Sequence, residues 1–265
     1  MEIKQYVENR KLWMKNEISR NCEVPHLVII QVNQNEASKA YVKGKINDLT
    51  YIGAKYTHVL LPLDTPEEDL VNVINKYNED DTVDGILVQM PLPKHISEDL
   101  IKNTVIPIKD VDGFNSLSKY LPCTPKGIID YLKSEQVEFT GKNAVVIGRS
   151  NIVGKPVAKL LLDLNCNVTI LHSRTTKEDM AFYLKHADIV VVAVGKKHFI
   201  TDQELKPSAI LIDVGINRFE GKLYGDCAPN LNVALQTPVP GGVGLLTRVA
   251  LLENLFICYN NRRSN

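Results

Sequence analysis

Residues 143–156, NAVVIGRSNIVGKP, constrain the fold more than any other stretch of the chain. The apolar run Ala144 to Ile147 stops at Gly148, a polar turn follows, and Gly154 and Pro156 open an amphipathic segment. That pattern reads as strand, tight turn, helix. A helix N-terminus at such a turn presents unpaired backbone N–H groups and the positive end of the helix dipole, which suits a phosphate. The spacing is G-x-S-x-x-x-G rather than G-x-G-x-x-G, so the glycines alone identify nothing. What matters is that Arg149 and Ser150 fall where phosphates would lie. The next apolar run, Val168 to Leu171, reads as the second strand of the unit and ends in His172, Ser173, Arg174 and Thr175. An NAD site carries an acid at this point to hold the ribose 2′-hydroxyl. A carboxylate would repel a 2′-phosphate, whereas Ser173 and Arg174 can donate to one, so the expected cofactor is NADP. Exposed arginines are ordinarily just solvated charges; finding basic and hydroxyl groups at both expected positions favours the cofactor.

Size and charge narrow the field. The chain has 265 residues, enough for two modest domains with real cores. Its 31 basic and 31 acidic residues balance, which argues against nucleic-acid or membrane-surface binding driven by bulk charge. The five cysteines, Cys22, Cys123, Cys166, Cys227 and Cys258, show no C-x-x-C pair, so neither a disulfide framework nor a metal site is indicated. Buried free thiols in a reducing compartment are expected. The charged N-terminus lacks a signal peptide's apolar core, and no apolar run approaches the about 20 residues that span a bilayer. The expected location is cytoplasmic.

Upstream of the strand–turn–helix, residues 2–20 read as an amphipathic helix and 26–32 as a buried strand. Helical periodicity over 36–53 ends at Gly53, and 55–62 is a second strand. Thr65-Pro66-Glu67-Glu68 reads as a capping box that starts a helix, and 85–90 is a third strand closed by Pro91 and Pro93. This alternation predicts a mainly parallel sheet covered by helices. The segment from Ile106 to Pro125 marks a boundary before a helix at about 126–135. A second block places strands at 143–148, 168–172, 189–194 and 209–215, a hairpin at 218–226 with Gly221 in its turn, and a last helix at about 247–260. Its strands are near-continuous apolar runs, as expected for strands buried on both faces.

Ligands of open α/β sheets lie beyond the carboxyl ends of the strands. Near such ends stand three features of the first block. Tyr41 and Lys45, four apart on a helix, share a face and together could stack a flat substrate and exchange its proton. Gln89 closes a buried strand. D-V-D-G-F at 110–114 puts two carboxylates in a loop, where an Asx turn is the plainer explanation. The loop TPVPGGVG at 237–244 has glycines that permit positive φ and close approach of backbone to a ligand.

The segments EASKAYVKGK, VDGILVQMPLPKHI, KDVDGF, PCTPKGI, GKNAVVIGRSNIVGKPVA, ADIVVVAVGK, LIDVGINR and TPVPGGVG, in this order over residues 36 to 255, resemble the bifunctional methylenetetrahydrofolate dehydrogenase/cyclohydrolase family of FolD type. The resemblance implies two α/β domains flanking a cleft: a folate-binding catalytic domain at 1–119 and a Rossmann-like NADP-binding domain at 120–265, whose final helix packs back on the first. It implies NADP-dependent oxidation of methylenetetrahydrofolate to the methenyl compound and hydrolysis of the latter to formyltetrahydrofolate. It also implies a homodimer, and the balanced charge noted above adds the expectation of no nucleic-acid and no membrane partner. Residue by residue, Lys45 matches the family's catalytic lysine, Gln89 the glutamine that orients it, Tyr41 the folate-stacking tyrosine and Asp112 the pterin-holding acid. Val88, Met90, Pro240 and Gly241 match substrate-binding positions, with Ser38 shaping the pocket. Gly148, Arg149, Ser150, Ser173 and Ile216 match cofactor positions, and Arg174 joins them as a cofactor-binding residue from the strand-end reading above.

The chain departs from the family pattern at Asn33, where a glycine is usual, and at Leu245, Leu246 and Arg248 after the glycine-rich loop. Cys227 after Asp226 departs as well. A dehydrogenase lacking hydrolase activity and a non-catalytic folate binder are both disfavoured by the intact set of Lys45, Gln89 and Asp112. A shikimate-type dehydrogenase is disfavoured by the folate-side motifs.

Overall fold

The run His26–Gln31 forms strand β1, and all six of its residues are buried, so both faces of this strand must be covered. The structure, a computed structural model, describes residues 2–33, 36–201 and 205–264. In chain order come α1 (Ile3–Ser19), β1, α2 (Glu36–Ile52), β2 (Lys55–Leu60), α3 (Glu67–Asn78), β3 (Gly85–Val88), α4 (Glu98–Thr104) and α5 (Cys123–Ser134). Then follow β4 (Asn143–Ile147), α6 (Gly154–Asp163), β5 (Asn167–Leu171), α7 (Lys177–His186), β6 (Ile189–Val192) and β7 (Ile210–Asp213). The chain ends with β8 (Asn217–Phe219), β9 (Lys222–Tyr224), β10 (Leu235–Gln236) and α8 (Val243–Ser264). Two compact units result: Met1–Val7 with Thr124–Thr247, and Glu8–Cys123 with Arg248–Asn265.

In the unit of Glu8–Cys123, the three strands are parallel in the order β2-β1-β3. Val28, Ile30, Ile86 and Val88 point to one side and pack with Leu70 and Ile74 of α3 and Ile101 of α4. On the other side, a Cβ at Gly85 would lie 3.0 Å from Leu255 of α8 and 3.3 Å from Leu27, so the last helix packs directly on the sheet. Arg10 to Glu253 at 2.7 Å and Arg262 to Asp84 at 2.6 Å fasten α8 further. The return of the last helix to the first domain is therefore found.

Several elements differ from the sequence reading. α8 begins at Val243 and runs to Ser264, well outside 247–260. Among the described residues it is the one helix long and apolar enough in length and composition to cross a membrane, contrary to the expectation that no such run exists. Its Val249, Leu251, Leu252 and Leu255 are buried in protein, which accounts for the composition. Thr65 does not cap α3: its hydroxyl donates to the Pro62 carbonyl at 2.7 Å, and Pro66 occupies the cap without a side-chain bond. The helix start rests instead on its three acids, Glu67, Glu68 and Asp69, near the positive end of the dipole. α4 went unforeseen although Ser97 caps it, its hydroxyl accepting from the Leu100 N–H; seven residues carry too little periodicity. α5 starts at Cys123, with Pro125 in the first turn where its missing N–H costs nothing. Cys22 is exposed, whereas the other four cysteines are buried as expected.

The second unit carries a five-stranded parallel sheet in the order β10-β7-β6-β4-β5. β6 is wholly buried, but β5 is an edge strand with Asn167 and Ile170 exposed, so burial on both faces does not extend to it. Val145, Ile147, Val190, Val192 and Leu211 pack with Leu184 of α7. β8 and β9 form the expected hairpin; Glu220 and Gly221 both have positive φ, +48° and +76°, which suits the twist of a two-residue turn.

Candidate functional site

Tyr41 and Lys45 stand one turn apart on α2, and burial separates them from an ordinary solvated pair: Lys45 is only 9% exposed. Its Nζ donates to Gln89 Oε1 at 3.0 Å. The orientation of that amide is set by its other end, because Gln89 Nε2 donates to the Met90 carbonyl at 2.7 Å. The backbone N–H of Gln89 continues the β1–β3 ladder to the Ile30 carbonyl, which places Gln89 at the carboxyl end of the sheet. Burial pushes the Lys45 amine below the usual lysine range; Asp112 and Cys123 pull it back, and Arg248 pushes it down again. A neutral acceptor such as Gln89 holds the amine without restoring its basicity.

The two carboxylates of D-V-D-G have different tasks. Asp110 organises its own loop, accepting from the Asn115 N–H at 2.8 Å, five residues on rather than the two of the expected Asx turn. Asp112 faces Lys45 electrostatically, and burial raises its carboxyl above the usual range, with Lys45 opposing and Asp110 reinforcing the shift. The loop is pinned from outside: the Val111 carbonyl accepts from Asn254 Nδ2 at 2.9 Å and from the Cys123 thiol at 3.2 Å. Gly113 has φ +69°, and a Cβ there would lie 2.7 Å from the Tyr120 carbonyl, so only glycine fits.

Three more of the expected substrate positions lie in the same unit as Lys45. Ser38 is buried one turn before Tyr41, Val88 is buried at the end of β3, and Met90 follows Gln89 half-buried. Burial raises the Tyr41 hydroxyl above its ordinary value, against a lowering by Arg248. Asn33, at the end of β1, donates through Nδ2 to the Pro91 carbonyl at 2.6 Å, which ties down the segment that carries Gln89. Its Oδ1 is buried without a partner. Pro240 and Gly241 belong to the other unit, on the loop before α8, where Gly241 has φ +97°.

In that other unit, Gly148 has φ +120° and a Cβ would meet the Ala193 carbonyl at 2.3 Å. A Cβ on Gly154 would meet the Gly148 carbonyl at 2.3 Å. The two glycines therefore let strand, turn and helix close backbone against backbone. A cavity of about 260 Å³ opens beside this turn, lined by Gly148, Arg149, His172, Ser173, Ala193 and Lys196 among others. The side chains of Arg149 and Ser173 are exposed. Arg174, next to Ser173 in the chain, and Ile216 are exposed but do not line the cavity. Ser150 does something the sequence reading missed: its Oγ accepts from the Val153 and Gly154 N–H groups, each at 3.2 Å. It occupies two of the helix-terminal donors expected to be unpaired, so an anion here would meet the Ser150 hydroxyl proton rather than those amides.

Comparison with known proteins accords with this geometry. Residues 1–112 match the tetrahydrofolate dehydrogenase/cyclohydrolase catalytic domain, and residues 122–263 match the NAD(P)-binding domain of the same family. The chain belongs to the tetrahydrofolate dehydrogenase/cyclohydrolase family. Its similarity to the bifunctional protein FolD of Campylobacter hominis is 46% identity over 266 residues, covering 94% of this chain and 93% of the relative. The crystal structure of FolD from Campylobacter jejuni superposes with a TM-score of 0.89 at 38% identity, covering 98% and 95% of the two chains. The methylenetetrahydrofolate dehydrogenase-cyclohydrolase of Trypanosoma brucei, solved with NADP cofactor and an inhibitor, gives 0.94 at 29% identity, covering 98% and 97%.

Within this member of the tetrahydrofolate dehydrogenase/cyclohydrolase family, the groups that hold the centre in place were the ones sequence reasoning passed over. Asn254 and Asp48 lie inside ordinary helices and carry no local signal. Cys123 stood within the P-C-T-P motif but was read only as a buried thiol. Asp226, fully buried, accepts from three successive N–H groups of Val194, Gly195 and Lys196 and so shapes the loop after β6. No periodicity announces such a carboxylate.

Proposed function

We propose that this protein oxidises methylenetetrahydrofolate to methenyltetrahydrofolate with NADP and hydrolyses the product to formyltetrahydrofolate. The observation that carries the reading is the Lys45 amine, buried, lowered in basicity, and bonded to the neutral oxygen of Gln89 while Asp112 stands opposite. A lysine brought toward working pH can both take and return a proton. In the hydrolytic step, water adds to the methenyl carbon. Lys45 takes a proton from that water and passes one to the ring nitrogen that departs, and one proton is released overall as the formyl group forms. Asp112, whose carboxyl is raised, offers donor–acceptor pairing to the pterin, and Tyr41 offers its ring face to the flat substrate, with Ser38, Val88 and Met90 shaping the pocket. Pro240 and Gly241 contribute to substrate binding from the glycine-rich loop.

The nucleotide side supports NADP. Bound NADP supplies the hydride acceptor for the first step. The residues present fit it: glycine is obligatory at position 148, Arg149 and Ser173 line the cavity, and no acid follows β5. Ser150, Arg174 and Ile216 complete the proposed set. We assign residues 1–119 to folate binding and 120–265, less the returning helix, to NADP binding. The reading includes a cytoplasmic homodimer in one-carbon metabolism serving purine, methionine and histidine synthesis. The test is a spectrophotometric assay with methylenetetrahydrofolate, run separately with NADP and NAD. Methenyl that forms with NADP and then decays faster than the uncatalysed control is expected. Absence of turnover with either cofactor would overturn the assignment, and unaccelerated decay would remove the hydrolase.

A further inference from the structure

Asp48 lies three residues after Lys45 on α2, the spacing at which a lysine and an acid meet on a helix face. That pair does not form. Asp48 Oδ1 takes Lys11 Nζ at 3.1 Å, and Oδ2 takes Arg248 Nε at 2.6 Å. Arg248 Nη2 also reaches Asp48 Oδ2 and donates to the Gly44 carbonyl at 3.0 Å. Both oxygens of a buried carboxylate are thus taken by cations that are not Lys45.

The seat of Arg248 is specific. A Cβ on Gly44 would lie 2.9 Å from Arg248 Nη1 and 3.0 Å from Cζ, so the guanidinium occupies the space a side chain would fill. Glycine in a helix interior destabilises the helix relative to alanine, and at Gly44 it makes room for this cation. We propose that Arg248 is a positioning residue for the hydrolytic step: together with Lys11 it holds the Asp48 carboxylate away from Lys45 and so leaves the amine to Gln89.

This inference rests on the role given to Lys45 above. The groups that act on the Lys45 amine are Asp112 from its loop, Cys123 from the head of α5 and Arg248 from α8. Tyr41 and Asp48 flank it on its own helix, and Gln89 reaches it from the end of β3. Removing Arg248 takes away a like charge and frees an acid one turn distant, and both changes make Lys45 more basic.

The experiment is the pH profile of methenyl hydrolysis, corrected for the uncatalysed rate, for the parent, Arg248→Met, Arg248→Lys and the double variant Arg248→Met with Asp48→Asn. In Arg248→Met the limb governed by Lys45 is expected to move to higher pH by about one unit. Arg248→Lys is expected to stay near the parent, and the double variant to return part of the way. A profile that stays in place in Arg248→Met while only kcat or stability falls would make the clamp merely structural and overturn the inference. A double variant shifted as far as the single one would also overturn it. A parent without hydrolysis overturns the functional assignment and this inference with it, whereas a hydrolysing parent with an unmoved Arg248→Met profile overturns this inference alone.

Discussion

Replacing Gly148 by alanine tests why the turn after β4 is built as it is. Two separate costs apply. Its φ of +120° lies where L side chains rarely go, which costs about 1–3 kcal/mol. The new Cβ would also stand 2.3 Å from the Ala193 carbonyl, a backbone atom that cannot rotate aside. Relieving that overlap requires β4 and β6 to part at their carboxyl ends, a displacement comparable to overpacking a core and costing about 1–3 kcal/mol more. Gly141 provides the control, because its φ is +74° and nothing lies within 4 Å of a Cβ there. Gly141→Ala should therefore show only the backbone cost of about 1–2 kcal/mol. At roughly 2–4 °C per kcal/mol for a chain of this size, Gly148→Ala should lower the Tm by about 4–24 °C and Gly141→Ala by about 2–8 °C, so at any one conversion factor the first shift exceeds the second. The assay is thermal unfolding followed by circular dichroism, with NADP binding measured by titration. Gly148→Ala should also weaken NADP, since Arg149 moves with the turn. If the two variants melt alike and bind NADP alike, the close approach of backbone to backbone is not what demands glycine.

The remaining expectations concern the two ligand sites and one buried ring. Lys45→Met should reduce methenyl hydrolysis by about 100-fold or more while circular dichroism and NADP binding stay those of the parent, because a proton carrier is lost and apolar volume is kept; retained hydrolysis would refute its role. Asp112→Asn should raise the KM for folate far more than that for NADP, and equal effects on both would count against the pterin assignment. Ser173→Asp sets a carboxylate against a 2′-phosphate at an exposed site, worth about 2 kcal/mol, so preference for NADP over NAD should fall by roughly 30-fold and less so in high salt. His26 is buried, with Nδ1 donating to the Thr82 carbonyl at 3.1 Å and Nε2 lying 2.9 Å from the Thr57 hydroxyl, contacts that a neutral ring satisfies. Burial and then Lys55 push its pKa below 6.5, so the unfolded chain binds the extra proton first. Stability is therefore lost as pH falls through 6.5, and His26→Gln should flatten the slope of Tm against pH between about 7 and 5; an unchanged slope would refute the neutral assignment.

The legible parts of the fold were those with a strong period. β1, β4 and β6 are runs of buried aliphatic residues, and the β8–β9 hairpin announces itself by Glu220-Gly221 between alternating side chains. The short elements were not legible: α4 spans seven residues and β10 two, lengths at which a repeat cannot be told from chance. Capping was misread at Thr65 because the residue types of a capping box do not determine which acceptor the hydroxyl faces. The pairing of Lys45 with Gln89 could be expected from the family pattern, but the bond that aims Gln89, to the Met90 carbonyl, could not.

By itself the sequence determined the types of the longer elements, the parallel character of the two main sheets, the glycines that the turns require, and the residue types proposed to meet folate and NADP. Those are local properties, set by side-chain size, β-branching and backbone freedom. Only the tertiary structure decided how acidic or basic the groups at the site become. Lys45 is an ordinary exposed lysine until α2 packs it against Gln89, and Asp48 is its natural partner until Arg248, two hundred residues later, takes the carboxylate first. Charge is a pairwise and long-range property, and which charges meet depends on the packing of distant helices rather than on spacing along the chain.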